Sequence, residues 1–233
     1  AAALRDVTRS ADNPTVATRD PSTPSPSAPA QSRDPSAPLL AGLVVTDADV
    51  APKLSVAGLQ GGNGLTQPTL DLCNGHYPSE TQRSARLQVA AIDSQARTHL
   101  STEAVLYTSS AGTTAAFQEL EDTARSCPPT PVDSPVGEPT VTTKFNPAPD
   151  AAWPQTPSVE RLAFSFETTS ADTGETNRSV AVFLRRGRAL VGVYFSDPDS
   201  AITVAGRSTI PDIVTVFANR LAKLPVAAVS TTA

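Results

Sequence analysis

Two cysteines in 233 residues, Cys73 and Cys127, limit this chain more than any other feature. They form no C-x-x-C pair and have no histidine at metal-ligand spacing, so they are either two buried thiols or one bridge. Composition favours the bridge, because the N-terminal region has an exported look and disulfides persist in oxidising compartments. Linking the two would close a loop of about 55 residues, worth on the order of 4 kcal/mol in the chain-entropy account. That is a large share of the roughly 5–15 kcal/mol that holds a typical domain folded.

The first 38 residues are dominated by Pro, Ser, Thr, Ala and Asp, as in PSTPSPSAPAQSRDPSAP, and hold almost nothing to bury. Residues 1–38 are therefore expected to be a disordered stalk, either a flexible tether or an acceptor of O-linked sugar. Folded sequence is expected over 39–224, with 225–233 a flexible C-terminal tail. Hydrophobic residues make up 39% of the chain and charged residues 18%, enough for one domain with its own core. The net charge of -5 and the scattered Lys and Arg exclude the basic stripe that nucleic acid or an anionic membrane surface would need. There is no run of eighteen apolar residues and no signal peptide. The chain also has no Met, initiator included, which leads to the expectation that a targeting or anchoring segment precedes this numbering; trimming would leave the same mark. Any membrane attachment would then run through an N-terminal anchor absent from this chain.

Periodicity outlines the domain. Thr46 is an N-cap before Asp47 and Asp49, predicting one short helix. ARLQVAAI sets Leu87, Val89 and Ala91 against Arg86, Gln88 and Ala90, and EAVLYTS does the same, which predicts a hairpin of half-buried strands. From Ser110 the period changes: Ala116, Phe117, Leu120 and Ala124 share one face of an amphipathic helix that ends at the prolines after Cys127. A proline-rich excursion follows, with TVTTKF as a possible strand. RLAFSFETT, RSVAVFLRR and ALVGVYFS are then strands joined by short polar turns, hence antiparallel neighbours. The last helix opens at Thr209 with Pro211 in its first turn and puts Ile213, Val214, Phe217, Leu221 and Leu224 on one face. The predicted class is α+β: an antiparallel sheet of about five strands, helices packed on one of its faces, and one disulfide.

Candidates for chemistry are few. His76 and His99 fall in polar connections without a second ligand, which suits solvated loop histidines. No serine sits in G-x-S-x-G or S-x-x-K. Gly61, Gly62 and Gly64 lack the strand, helix and G-K-[ST] of a phosphate loop and suit a plain turn. Asp197 and Asp199 lack the remaining ligands of a calcium loop and suit a turn after a strand. No catalytic, cofactor-binding or metal residues are predicted, and no cofactor. Arg185, Arg186 and Arg188 form the one small basic cluster, either a solvated hairpin tip or a grip on an acidic partner. Trp153, the sole tryptophan, either plugs the core from a loop or stands exposed as a contact residue.

The order EAVLYTSSAGTTAAFQELEDTARSC, a proline excursion, RSVAVFLRRGRALVGVYFS and a terminal helix resembles the actinobacterial extracytoplasmic sensor-like domains of the PknH type and related lipoproteins, over about residues 39 to 224. The resemblance implies an antiparallel sheet with flanking helices, a cleft that receives a ligand, display outside the membrane, and no catalysis. This chain has one cysteine pair where the kinase-borne domain carries two disulfides, and the family offers no motif of binding residues to carry over. The expected function is a non-catalytic ligand-binding or sensor-like domain of a cell-envelope protein, its partner an unknown envelope ligand or protein. A carrier lipoprotein holding a lipid or protein is the alternative, and would show a large apolar cavity where a sensor would show a polar groove. A hydrolase would need His76 or His99 beside a Ser and an acid.

Overall fold

The computed structural model describes residues 34–133 and 140–230. Most of the expected stalk therefore lies outside the described residues. Seven antiparallel strands form one sheet: β1 (Ser55–Gly58), β2 (Arg83–Ile92), β3 (Thr98–Tyr107), β4 (Val141–Phe145), β5 (Glu160–Ser170), β6 (Thr176–Arg186) and β7 (Ala189–Phe195). Their order is β1-β2-β3-β7-β6-β5-β4. After β3 the chain crosses the sheet through α1 (Ser110–Ser126), restarts at the far edge with β4, and returns by hairpins until β7 pairs with β3. Helix α2 (Ile210–Ala222) and a single helical turn, α3 (Val226–Val229), complete the fold.

The α+β class and the antiparallel sheet agree with the sequence, and two particulars differ. The strands number seven because TVTTKF does become β4 and because Ser55–Gly58 pairs with β2; four residues are too few to show alternation. The helices lie on opposite faces of the sheet. Ile213, Val214, Phe217 and Leu221 of α2 share a core with Leu100, Leu106, Val182 and Val191, whereas Ala116, Phe117 and Leu120 of α1 share another with Val105, Tyr107, Phe183 and Leu190. The cause is in the central strands: Val180–Leu184 of β6 is apolar at every position and buried throughout, so both faces need cover.

Helix starts follow the predicted chemistry. Thr209 Oγ1 accepts from Asp212 N at 3.3 Å ahead of α2, and Thr46 with Asp49 brackets a single 3-10 turn, Asp47–Asp49, in a capping box. The two termini depart from expectation. Ala228 and Val229, read as part of a flexible tail, are buried, and Arg188 N donates to Val229 O at 2.9 Å. At the other end Asp34 pairs with the buried Arg188, so contacts with the domain begin ahead of Leu39. Burial favours the neutral acid, but hydrogen bonds from Arg188, the largest influence, hold Asp34 down at about 2. Gly187 lets the C-terminal turn approach: its φ is +55°, and a Cβ there would stand 2.1 Å from Val229 O. Gly187→Ala should therefore cost about 1–3 kcal/mol. In urea unfolding the midpoint should drop, and amide exchange at Arg188 should accelerate; an unchanged midpoint would show that the turn does not hold the β6–β7 tip.

Candidate binding cleft

On the α1 side, helix and strand do not cover the whole sheet. The segment from Leu59 to Tyr77 folds over that face, and between it and the strands lies a cleft of about 770 Å³. Sequence alternation put Arg86 and Gln88 of β2 on the polar side of their strand; Glu103 of β3 shares its face with Val105 and Tyr107. The structure keeps that side but covers it: the Arg86 and Glu103 side chains are 2% and 1% exposed and form an ion pair. Arg86 also donates to Gly61 O (3.0 Å), Pro68 O (3.1 Å) and Gln88 Oε1 (2.7 Å). Arg83 donates to Leu65 O, Gln67 O and Thr69 Oγ1 at 2.7–2.8 Å, while Glu80 accepts from Thr69 N and Leu70 N. Carbonyls and amides of the covering segment are thus satisfied by side chains of the sheet and its entry turn, as a loop without its own ladder requires. Burial pushes the Glu103 carboxyl up to about 7, against the opposing pull of Arg86, and burial also raises Glu80.

The far end of the segment is fastened covalently. Cys73 and Cys127 are bonded, with Cα atoms 6.0 Å apart, which joins the cleft wall to the C-terminus of α1. Cys73 and Asn74 take φ of 58° and 51°, left-handed values that non-glycine residues rarely adopt. Tyr194 of β7 bridges floor and wall, its hydroxyl donating to Thr69 O at 3.2 Å. Gly192 makes room for it, since a Cβ there would lie 2.4 Å from the Tyr194 oxygen. Tyr194 also ends an aromatic series, Phe145, Phe164, Phe183 and Tyr194, with ring centroids 5.7–6.2 Å apart, spacing that suits edge-to-face packing. Phe166 lines the cleft, its ring 5.7 Å from Phe145.

None of the four predicted contact residues lines this cleft. Trp153 is half-buried on the α2-side core, its ring 5.5 Å from the Arg161 guanidinium, so it plugs the core. The arginine cluster is not a solvated tip. Arg188 is 1% exposed and bonds Asp34, Tyr107 O and Ala228 O. Arg186 caps the end of α2 through Leu221 O and Leu224 O, and Arg185 pairs with Glu160 over the Phe117 ring. The hairpin tip sits where the end of α2, the end of β3 and the C-terminal turn present carbonyls that need donors.

Gly62 packs against β2, where a Cβ would meet Gln88 O at 2.6 Å, so the glycine run is a turn fitted to a strand. Asp197 closes a turn with Ser200, and Asp199 meets Arg178 in an exposed pair. His76 is exposed at the cleft rim. His99 opens β3 and lies 3.1 Å from Asp93, which Arg97 shares. That arrangement ties the β2–β3 turn together. Among the described residues no group of three His, Cys, Asp or Glu could hold a metal ion. Sequence reasoning missed Arg83, Arg86, Glu80, Glu103 and Tyr194. The available signal was a pair of opposite charges, Arg86 and Glu103, that antiparallel pairing of two successive strands brings to one face of the sheet.

Among solved structures, the extracellular domain of PknH from Mycobacterium tuberculosis matches over 81% of this chain and 97% of its own length, at 10% identity and a TM-score of 0.49. No protein-family profile matches the sequence, and no curated protein does.

Proposed function

We propose that this chain is a non-catalytic, sensor-like ligand-binding domain displayed outside the cytoplasm on a cell envelope. The cleft carries the reading: its volume lies within the roughly 300–1,000 Å³ of small-molecule sites, and its wall is held by a disulfide and a buried ion-pair cluster, so it keeps its shape without a ligand. The disulfide supports an oxidising location. Among the described residues no helix is long and apolar enough to cross a membrane, and in this reading the Pro/Ser/Thr-rich N-terminal region tethers the domain to an anchor. Polar side chains, Gln67, Thr143 and Ser179 among them, break up a lining that also holds Leu59, Leu70, Val141 and Phe166, which supports a sensor over a lipid carrier. His99 has an acid beside it, Asp93, but the pair belongs to the β2–β3 turn and does not line the cleft.

Native mass spectrometry of the chain recovered under mild conditions tests the reading. The wild-type chain should carry a bound mass that Ser179→Trp, which fills the cleft, does not. Identical spectra from the two proteins would overturn it.

A further inference from the structure

The side chains around the cleft also say what class of ligand it takes, a step that rests on reading the cleft as a binding site. The two guanidinium groups in its lining are already engaged. Arg83 is bonded to three carbonyls, Glu80 and Thr69, and Arg86 to Glu103, two carbonyls and Gln88. Three carboxylates, those of Asp71, Glu80 and Glu103, share the lining. An anionic ligand would find both arginines already engaged with Glu80 and Glu103 and a further carboxylate, Asp71, in the lining. A lipid chain would need a continuous apolar channel, and here the amides and hydroxyls of Gln67, Thr143 and Ser179 interrupt it on both walls. An extended peptide pairs with a free strand edge; of the strands lining this cleft only β4, through Val141 and Thr143, lies at an edge, and there Val132 already pairs with Val141. What remains in the lining to receive a ligand is a set of neutral hydrogen-bonding side chains, Gln67, Thr143 and Ser179 among them, together with the aromatic rings of Phe166 and Tyr194.

We infer that the cleft binds a short uncharged saccharide, its hydroxyls meeting the Thr, Ser and Gln side chains of the walls and its apolar ring face resting on Phe166. A pyranose offers both surfaces at once, hydroxyls around its edge and C–H groups on its face, and needs no charged partner.

The test uses the disulfide-intact chain. Isothermal titration with neutral trisaccharides (maltotriose, mannotriose, cellotriose and galactotriose) is set beside a trigalacturonate, inorganic phosphate and a medium-chain fatty acid. A parallel sedimentation assay with insoluble cell-wall polysaccharide distinguishes a polymer-borne unit from a free one. At least one neutral sugar should bind, in solution or on the polymer. Phe166→Ala and Ser179→Ala should each weaken that binding about tenfold or more, the loss of a well-made contact; Ser179→Ala serves should Phe166→Ala fail to fold. If trigalacturonate, phosphate or the fatty acid binds and Ser179→Trp abolishes it, the saccharide class is wrong while the cleft remains a binding site. If no probe binds and the recovered chain carries no mass either, both readings fall.

Discussion

Replacing Cys73 and Cys127 together by alanine should lower the stability of this chain by about 4 kcal/mol, the loop-closure entropy released when a tie across a sequence separation of 54 is cut. With urea m-values of about 1–3 kcal/mol per molar, the unfolding midpoint should fall by more than 1 M, and reductant should move the wild type to the same midpoint while leaving the variant unmoved. The local effect should be as telling as the global one. Cys73 and Asn74 hold left-handed backbone, which costs about 1–3 kcal/mol per residue and persists only where the surroundings impose it. Without the bond the Leu72–Gly75 turn should relax, and its amides should exchange faster while those of β6 and β7 keep their relative order. A midpoint within about 0.5 M of the wild type, on the same scale of m-values, would mean that the bond ties segments already held by other contacts.

Arg86→Met should have an effect of similar size for a different reason. It strips the buried Glu103 of its cation and takes the Arg86 hydrogen bond from Pro68 O and from Gly61 O, which keeps only the Gly64 amide; breaking one side of a buried pair costs about 3–5 kcal/mol. Replacing both partners, Arg86→Met with Glu103→Leu, should restore part of the loss by removing the stranded carboxyl. A double variant no better than the single one would show that the carbonyl bonds, and not the charge, carry the cost. The same site sets a pH dependence. The folded-state value of Glu103, about 7, lies above its ordinary 4.5, so between those values the folded chain holds a proton that the unfolded chain has lost. Its contribution to stability is full below pH 4.5 and disappears as pH rises through 7. Glu80 is raised as well and acts in the same sense. Asp34 is held low, at about 2, so its contribution is full above 3.8 and is lost as pH falls through 2. Urea titrations should therefore show stability rising from pH 7.5 to pH 5 and falling below pH 4. Glu103→Gln should flatten the upper slope without removing it, since Glu80 remains; an unaltered slope would take Glu103 out of the account.

How much of this was legible beforehand depends on the range over which each feature is decided. The α1 and α2 helices, the α2 cap at Thr209, and β2, β3, β5, β6 and β7 follow from residues a few positions apart, because a period of two or 3.6 is a local property of apolar spacing. The cysteine pair was legible as a pair because its alternatives were so few. By contrast, Arg86 and Glu103 look like solvent-facing positions on half-buried strands, and so they would be if the Leu59–Tyr77 segment did not fold back over them. Arg188 looks like a hairpin tip and is buried because residues from both ends of the described domain meet on it, Asp34 from one side and Ala228 from the other.

The sequence by itself determined the α+β class and the identity of most elements, since each rests on neighbouring residues, and it favoured a bridge over two buried thiols, which the structure resolves as a bond. Only the tertiary structure decided that the helices take opposite faces, that the face of β2 and β3 bearing Arg86 and Glu103 becomes the floor of a cleft, and which arginines are buried. Burial depends on what arrives from distant parts of the chain, and a charged side chain on a strand has the same local pattern whether water or a loop comes to lie above it.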